Sequence, residues 1–220
     1  MTHEATLKLE TSEAIDSLEF VSDSARLRLS TWASGASRRL RLYDIPEQRF
    51  VEGFLQRGAQ DCVLGRDGQT VAFAQDRAVL MTDLVRQEPL REFGHHPEGV
   101  GALALSPDGR RLATGSADRT VRLFETTTSR LEQTLQDHLA AVRAVAFAPD
   151  GQTLASGDND GVVKLWHVET GRLLFDLPRL SGRCQQIAFT ADGTRLVCRS
   201  EDRKIWEFRT ADEVPPEATQ

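Results

Sequence analysis

The 220-residue sequence reads as an all-β array of about five similar units, each supplying about four strands. Three observations carry that reading. Between His138 and His167 lie three apolar runs, 142–147, 153–156 and 162–166, rich in β-branched and bulky residues and separated by turn signals. The turns are Ala148-Pro149-Asp150-Gly151 and Asp158-Asn159-Asp160-Gly161, where Pro presets φ and Asn, Asp and Gly tolerate positive φ. The unit then recurs with a period of 42 residues, the spacing from Thr114 to Ser156 and from Ser156 to Cys198. His96 stands in the place of His138, Asp118 and Asp202 in that of Asp160, and Phe124 and Phe208 in that of Trp166. Self-similarity at this period marks a repeat array in which each unit buries its faces against its neighbours.

Taken in order, residues 5–10 alternate as a strand, and a first unit follows, in which Ile15, Leu18 and Phe20 match Val142, Val145 and Phe147. It ends at Tyr43-Asp44 and carries four extra residues near 31–37, a stretch whose small residues favour a loop. The second unit is the most degenerate, with Thr82 in the place of Trp166. Segments 49–54, 89–93, 130–135 and 172–177 read as outer strands between units. The repeats therefore span approximately 5–44, 49–83, 89–125, 130–167 and 172–209, within a domain of 1–209. The acidic, Pro-containing segment 210–220 reads as a disordered tail.

Phe147-Ala148-Pro149-Asp150-Gly151, Leu154-Ala155-Ser156-Gly157 and Val163-Lys164-Leu165-Trp166 together resemble a blade of the WD-repeat (WD40-type) β-propeller family. The closing dipeptide here is Trp166-His167 rather than Trp-Asp, and the opening one Asp137-His138 rather than Gly-His. The resemblance implies a β-propeller of about five four-stranded blades. Residues 5–10 would supply the outer strand that the last unit lacks, pairing near 204–208 and closing a ring; an open arc is the alternative.

Composition is that of an ordinary globular chain, with 40% hydrophobic and 27% charged residues. The net charge of −6 and the scattered Lys and Arg speak against a nucleic-acid backbone binder. No apolar run reaches membrane-spanning length, and the first residues carry no signal-peptide pattern. Cys62, Cys184 and Cys198 are an odd set without a C-x-x-C pair, expected to be reduced core residues in a cytoplasmic protein. No metal-ligand motif or phosphate-cradling loop appears, so no cofactor is expected.

His138, Ser156 and Asp160 have the residue types of a hydrolytic triad. The resemblance instead implies a buried hydrogen-bond chain of His138, Ser156, Asp160 and Trp166 that ties one blade together. Phe124 and Phe208 lack an indole donor, so only the fourth unit can complete the chain. Family members generally hold proteins or peptides on the face made by the loops before the first strand and between the second and third. Here these include 97–99, 139–141, 181–183 and 31–37, which makes Glu98, Arg183, Trp32, Arg38 and Arg39 candidate partner-binding residues. Trp32 resists a bland reading, being either a buried continuation of the second strand or an exposed aromatic anchor. The expected function is a non-catalytic scaffold for a protein or peptide partner. The alternatives are a small-molecule-binding or enzymatic propeller, or a part of a longer WD-repeat protein.

Overall fold

The computed structural model describes residues 14–21, 26–33, 37–44, 49–50, 56–57, 59–65, 69–83 and 91–209, with side chains from residue 61 onward. The chain divides into two compact units, Met1–Gly58 and Ala59–Gln220. The first contains β1 (Ala14–Val21), β2 (Arg26–Ala33), β3 (Ser37–Asp44), β4 (Arg49–Phe50) and β5 (Gln56–Arg57). These form one antiparallel sheet in the order β1-β2-β3-β4, with β5 also pairing β3. The extra length near 31–37 lengthens the β2–β3 ladder, in which Trp32 pairs with Arg38 and Thr31 with Arg39. The backbone at Trp32 is thus strand rather than loop.

The second unit repeats one design four times. Its strands are β6 (Ala59–Leu64), β7 (Thr70–Gln75), β8 (Ala78–Asp83) and β9 (Arg91–Phe93), then β10 (Val100–Leu105), β11 (Arg111–Ser116), β12 (Thr120–Glu125) and β13 (Leu131–Gln136). There follow β14 (Val142–Phe147), β15 (Thr153–Asp158), β16 (Val163–His167) and β17 (Leu173–Asp176), and finally β18 (Cys184–Phe189), β19 (Arg195–Ser200) and β20 (Ile205–Arg209). Each set is one antiparallel meander in chain order; the last has three strands among the described residues. The proposed pairing of residues 5–10 with the last sheet, and the tail 210–220, lie outside the described residues.

Register shows why the 42-residue period holds. The aromatic position of each third strand faces an aliphatic on the second: Leu112 pairs with Phe124, Leu154 with Trp166 and Leu196 with Phe208. In the last three sheets the first turn closes on a glycine at positive φ, 71° at Gly109, 71° at Gly151 and 72° at Gly193. The aspartate before it caps the backbone N–H two residues on, with Asp108, Asp150 and Asp192 accepting at 3.0, 2.9 and 3.1 Å. These contacts are local, so a turn sequence specifies them without help from the rest of the chain.

Successive sheets of this unit pack face to face through apolar layers. Val121, Leu123, Val142 and Leu154 share one layer; Val163, Cys184 and Leu196 share the next. Leu112, Leu123 and Leu154 are fully buried. Burial of one such side chain contributes roughly 1.5–3 kcal/mol. Close approach is set by glycines on the second strands. A Cβ on Gly115 would lie 2.7 Å from Val142 Cγ1, and one on Gly157 would collide with Cys184. Each first strand of the unit also carries a bulge near its start, at 59/61, 100/102, 142/144 and 184/186.

Candidate partner-binding face

In the last three sheets of the second unit, two loops meet at the end where the first strand begins. The same backbone hydrogen bond joins them, from Ala117 N–H to Gly99 O, Asn159 N–H to Ala141 O and Glu201 N–H to Arg183 O, each 2.9 Å. The loops are therefore fixed platforms. The bulge re-aims Arg143 toward the same end, where its Nε donates to Asn159 Oδ1 at 3.1 Å.

Beneath this face sits the buried polar chain of the 142–176 sheet. Trp166 Nε1–H donates to Ser156 Oγ at 2.7 Å, and Ser156 Oγ lies 2.7 Å from His138 Nε2. The carboxylate facing Nδ1 can only accept, so Nε2 accepts from the serine hydroxyl, whose oxygen accepts in turn from the indole, and Nδ1 carries the imidazole proton. That proton goes to Asp158 Oδ2 at 2.8 Å and not to Asp160, as the repeat alignment had placed it. Asp160 is instead exposed and lies 3.5 Å from Arg179, while its backbone N–H donates to Asp158 Oδ1. The physical reason is the residue at position 158. In the preceding sheet that place is Ser116, too short to reach the imidazole, so Asp118 Oδ2 takes His96 Nδ1 at 2.8 Å. With a carboxylate at 158 the single Nδ1 proton is already taken, and a second buried carboxylate would be left uncompensated.

The chain has the distances of a Ser-His-Asp triad but no access. Ser156 and Asp158 are almost wholly buried, and one Ser156 lone pair is held by the indole. An acyl substrate cannot reach the buried hydroxyl, and the arrangement ties the loop before β14 to strands β15 and β16. Burial pushes the Asp158 carboxyl up, but hydrogen bonds from His138 and the Val162 and Asp160 amides outweigh it and hold it below the usual range. His96 is held below its ordinary value, chiefly by burial. Its Nε2 meets Thr114 Oγ1 at 2.7 Å, but Phe124 offers no donor and packs edge-on against Phe93 at 5.8 Å instead.

The loop face carries Glu98, which is exposed, and Arg183, which pairs with Glu201 at 2.8 Å. Trp32, Arg38 and Arg39 belong to the first unit, and their side chains lie outside those described. Leu139 is 86% exposed on this face, within the loop 139–141. Its signal in the sequence is an apolar residue directly after His138 in a segment with no strand period. Lys164 is buried between Asp137 at 2.5 Å and Asp176 at 2.6 Å. Burial lowers its pKa, but the two carboxylates outweigh that and hold the ammonium above its ordinary range. Cys62, Cys184 and Cys198 are buried free thiols. Contact with Cys198, then burial, pushes the Cys184 thiol far up, so it is inert as a nucleophile at neutral pH. Among the described residues no group of three or more His, Cys, Asp or Glu is placed to hold a metal.

The family model for the WD domain, G-beta repeat matches residues 87–125 and 129–167. Among known proteins, an uncharacterized WD repeat-containing protein of Synechocystis sp. is 32% identical over 130 residues, covering 57% of this chain and 36% of that protein. Human WD repeat-containing protein 86 is 47% identical over 49 residues, 22% of this chain and 13% of that protein. Transducin beta-like protein 3 of Rattus norvegicus is 30% identical over 90 residues, 41% of this chain and 11% of that protein. The matched stretches thus span well under two thirds of these relatives' own lengths.

Proposed function

From its place among WD-repeat proteins, we propose that this chain is a non-catalytic scaffold that holds a protein or peptide partner on its loop face. The observation that carries the reading is the clip repeated at Gly99–Ala117, Ala141–Asn159 and Arg183–Glu201, which fixes a loop platform before any partner arrives. A preorganised surface binds without first paying the entropy of ordering its loops. Leu139 is the apolar anchor of that platform, and Glu98 and Arg183 are its charged rim. In the first unit, Trp32, Arg38 and Arg39 are separate candidates for partner contact. The partner is neither nucleic acid nor membrane, the setting is cytoplasmic, and no cofactor takes part.

The test is affinity capture from a cell lysate with quantitative mass spectrometry, run in parallel on wild type, Leu139→Glu and Trp32→Ala. Partners retained by wild type and depleted by either variant, at unchanged melting temperature, support the reading. An identical set of captured proteins on all three would refute it.

A further inference from the structure

At the opposite end of the strands the second unit has an apolar well. Its walls repeat with the same period, as Leu105 with Pro107, Phe147 with Pro149, and Phe189 with Ala191. The first strands end here, so Leu105, Phe147 and Phe189 each turn one partly exposed side chain into the space. Its volume is about 260 Å³. Pockets for drug-sized ligands run from about 300 Å³ upward, so this well fits one bulky side chain rather than a whole small molecule.

A second, larger groove of about 630 Å³ shares Ser106, Pro107 and Pro149 with the well, so the two adjoin. This groove is acidic. Asp108, Asp150 and Glu169 line it against a single guanidinium, Arg111. Arg111 is already held by Glu132 at 2.7 Å and Glu169 at 2.9 Å, so it does not neutralise the two aspartates. Asp108 spends one oxygen on the Ser106 hydroxyl and the Arg110 amide, and its other oxygen lies 4.0 Å from the exposed Arg110 guanidinium; Asp150 spends one on the Gln152 amide. These bonds hold the carboxylates at the rim, and those of Asp108 lower its pKa, so it stays charged.

We propose that this turn-face well and its acidic flank form a second binding site, for a peptide that presents one bulky apolar side chain next to Lys or Arg. The apolar residue fills the space between Phe147 and Phe189, and the basic residue lies over Asp108 and Asp150. Pro107 and Pro149 stiffen the walls, so the well is open in the unbound protein.

The probe is a fluorescein-labelled heptapeptide of one phenylalanine followed by two lysines within glycines, titrated with the full chain and read by anisotropy. Saturable binding is expected, weakened about tenfold or more when alanine replaces the phenylalanine or glutamate replaces both lysines. Asp150→Lys should weaken it similarly, with a small fall in melting temperature from the lost Gln152 cap, and Asp150→Asn, which keeps a cap acceptor but not the charge, should weaken it too. Phe147→Ala should weaken it as well, at a cost in stability because Phe147 packs on the core. Leu139→Glu, on the other face, should leave it unchanged, which separates this site from the loop platform. Three results would overturn the proposal: no saturation; equal binding of the peptides with and without phenylalanine; or affinity unaffected by Asp150→Lys. Dimerisation in sedimentation that Phe147→Ala abolishes would assign the well to a second copy of this chain and overturn it too.

Discussion

Asp158 Oδ2 lies 2.8 Å from His138 Nδ1 while Asp158 Oδ1 accepts the amides of Asp160 and Val162 at 2.9 Å each. One carboxylate therefore both shapes the β15–β16 turn and anchors the buried His138–Ser156–Trp166 chain. Asp158→Ala should cost about 1–3 kcal/mol, the range for leaving buried polar groups unpaired. Asp160→Ala, at an exposed position, should change stability by less than about 0.5 kcal/mol. Urea denaturation midpoints decide the order, and the reverse order would return the histidine's partner to Asp160.

His138→Ala should destabilise by about 1–3 kcal/mol, since Ser156 and Asp158 each lose a partner in a buried place. His96→Ala should cost less. Asp118 keeps the Thr120 hydroxyl and amide, and no indole feeds Thr114. Equal shifts of the denaturation midpoint would contradict this difference between the two sheets.

The same turn position has Arg119 at φ 70°, Gly161 at φ 79° and Arg203 at φ 66°. The left-handed region disfavours an arginine by roughly 1–2 kcal/mol, part of which glycine returns through a more flexible unfolded chain. Arg119→Gly and Arg203→Gly should each raise stability by about 0.5–1 kcal/mol. Gly161→Ala should lower it by more, because its Cβ would lie 2.6 Å from Gly182 O and 2.9 Å from Leu180 O. Thermal melts of the three variants check the signs.

Stability should fall with acid in two stages. The folded pKa of His96 is depressed below its ordinary 6.5, so its contribution is complete above about that pH and declines as the folded state is forced to protonate. Asp118 and Asp158 are also depressed, below 3.8; their contribution is present above that value and lost as pH falls through their folded pKa values. His96→Gln should flatten the first stage and leave the Asp158 part of the second, while the Asp118 part shrinks because His96 supplies some of its shift. A profile of midpoint against pH that His96→Gln does not alter would contradict it.

Much of the second unit was legible in residues because its determinants are local. The glycine of each Pro-Asp-Gly-type turn, the aspartate that caps it and the aliphatic–aromatic pair such as Leu154 and Trp166 sit at fixed offsets in the chain. What was not legible depends on reach across space. Asp158 and Asp160 are chemically alike, and only the turn conformation decides which carboxylate meets His138. The stretch containing Trp32 has loop-like composition, yet three of the eight β2–β3 pairs, at Thr31, Trp32 and Ala33, fall within it. The approach of sheets at Gly115 and Gly157 was also invisible, since a glycine's role there is fixed by a side chain of the next repeat. The turn-face well is assembled from residues a whole period apart, so no single window of sequence contains it.

Amide hydrogen exchange, measured on the chain alone and in complex with a partner recovered by capture, tests the scaffold reading most directly. The account predicts added protection at residues 97–99, 139–141, 158–159 and 181–183, with the buried strands unchanged. Protection absent from all four loops, with the partner demonstrably bound, would contradict it.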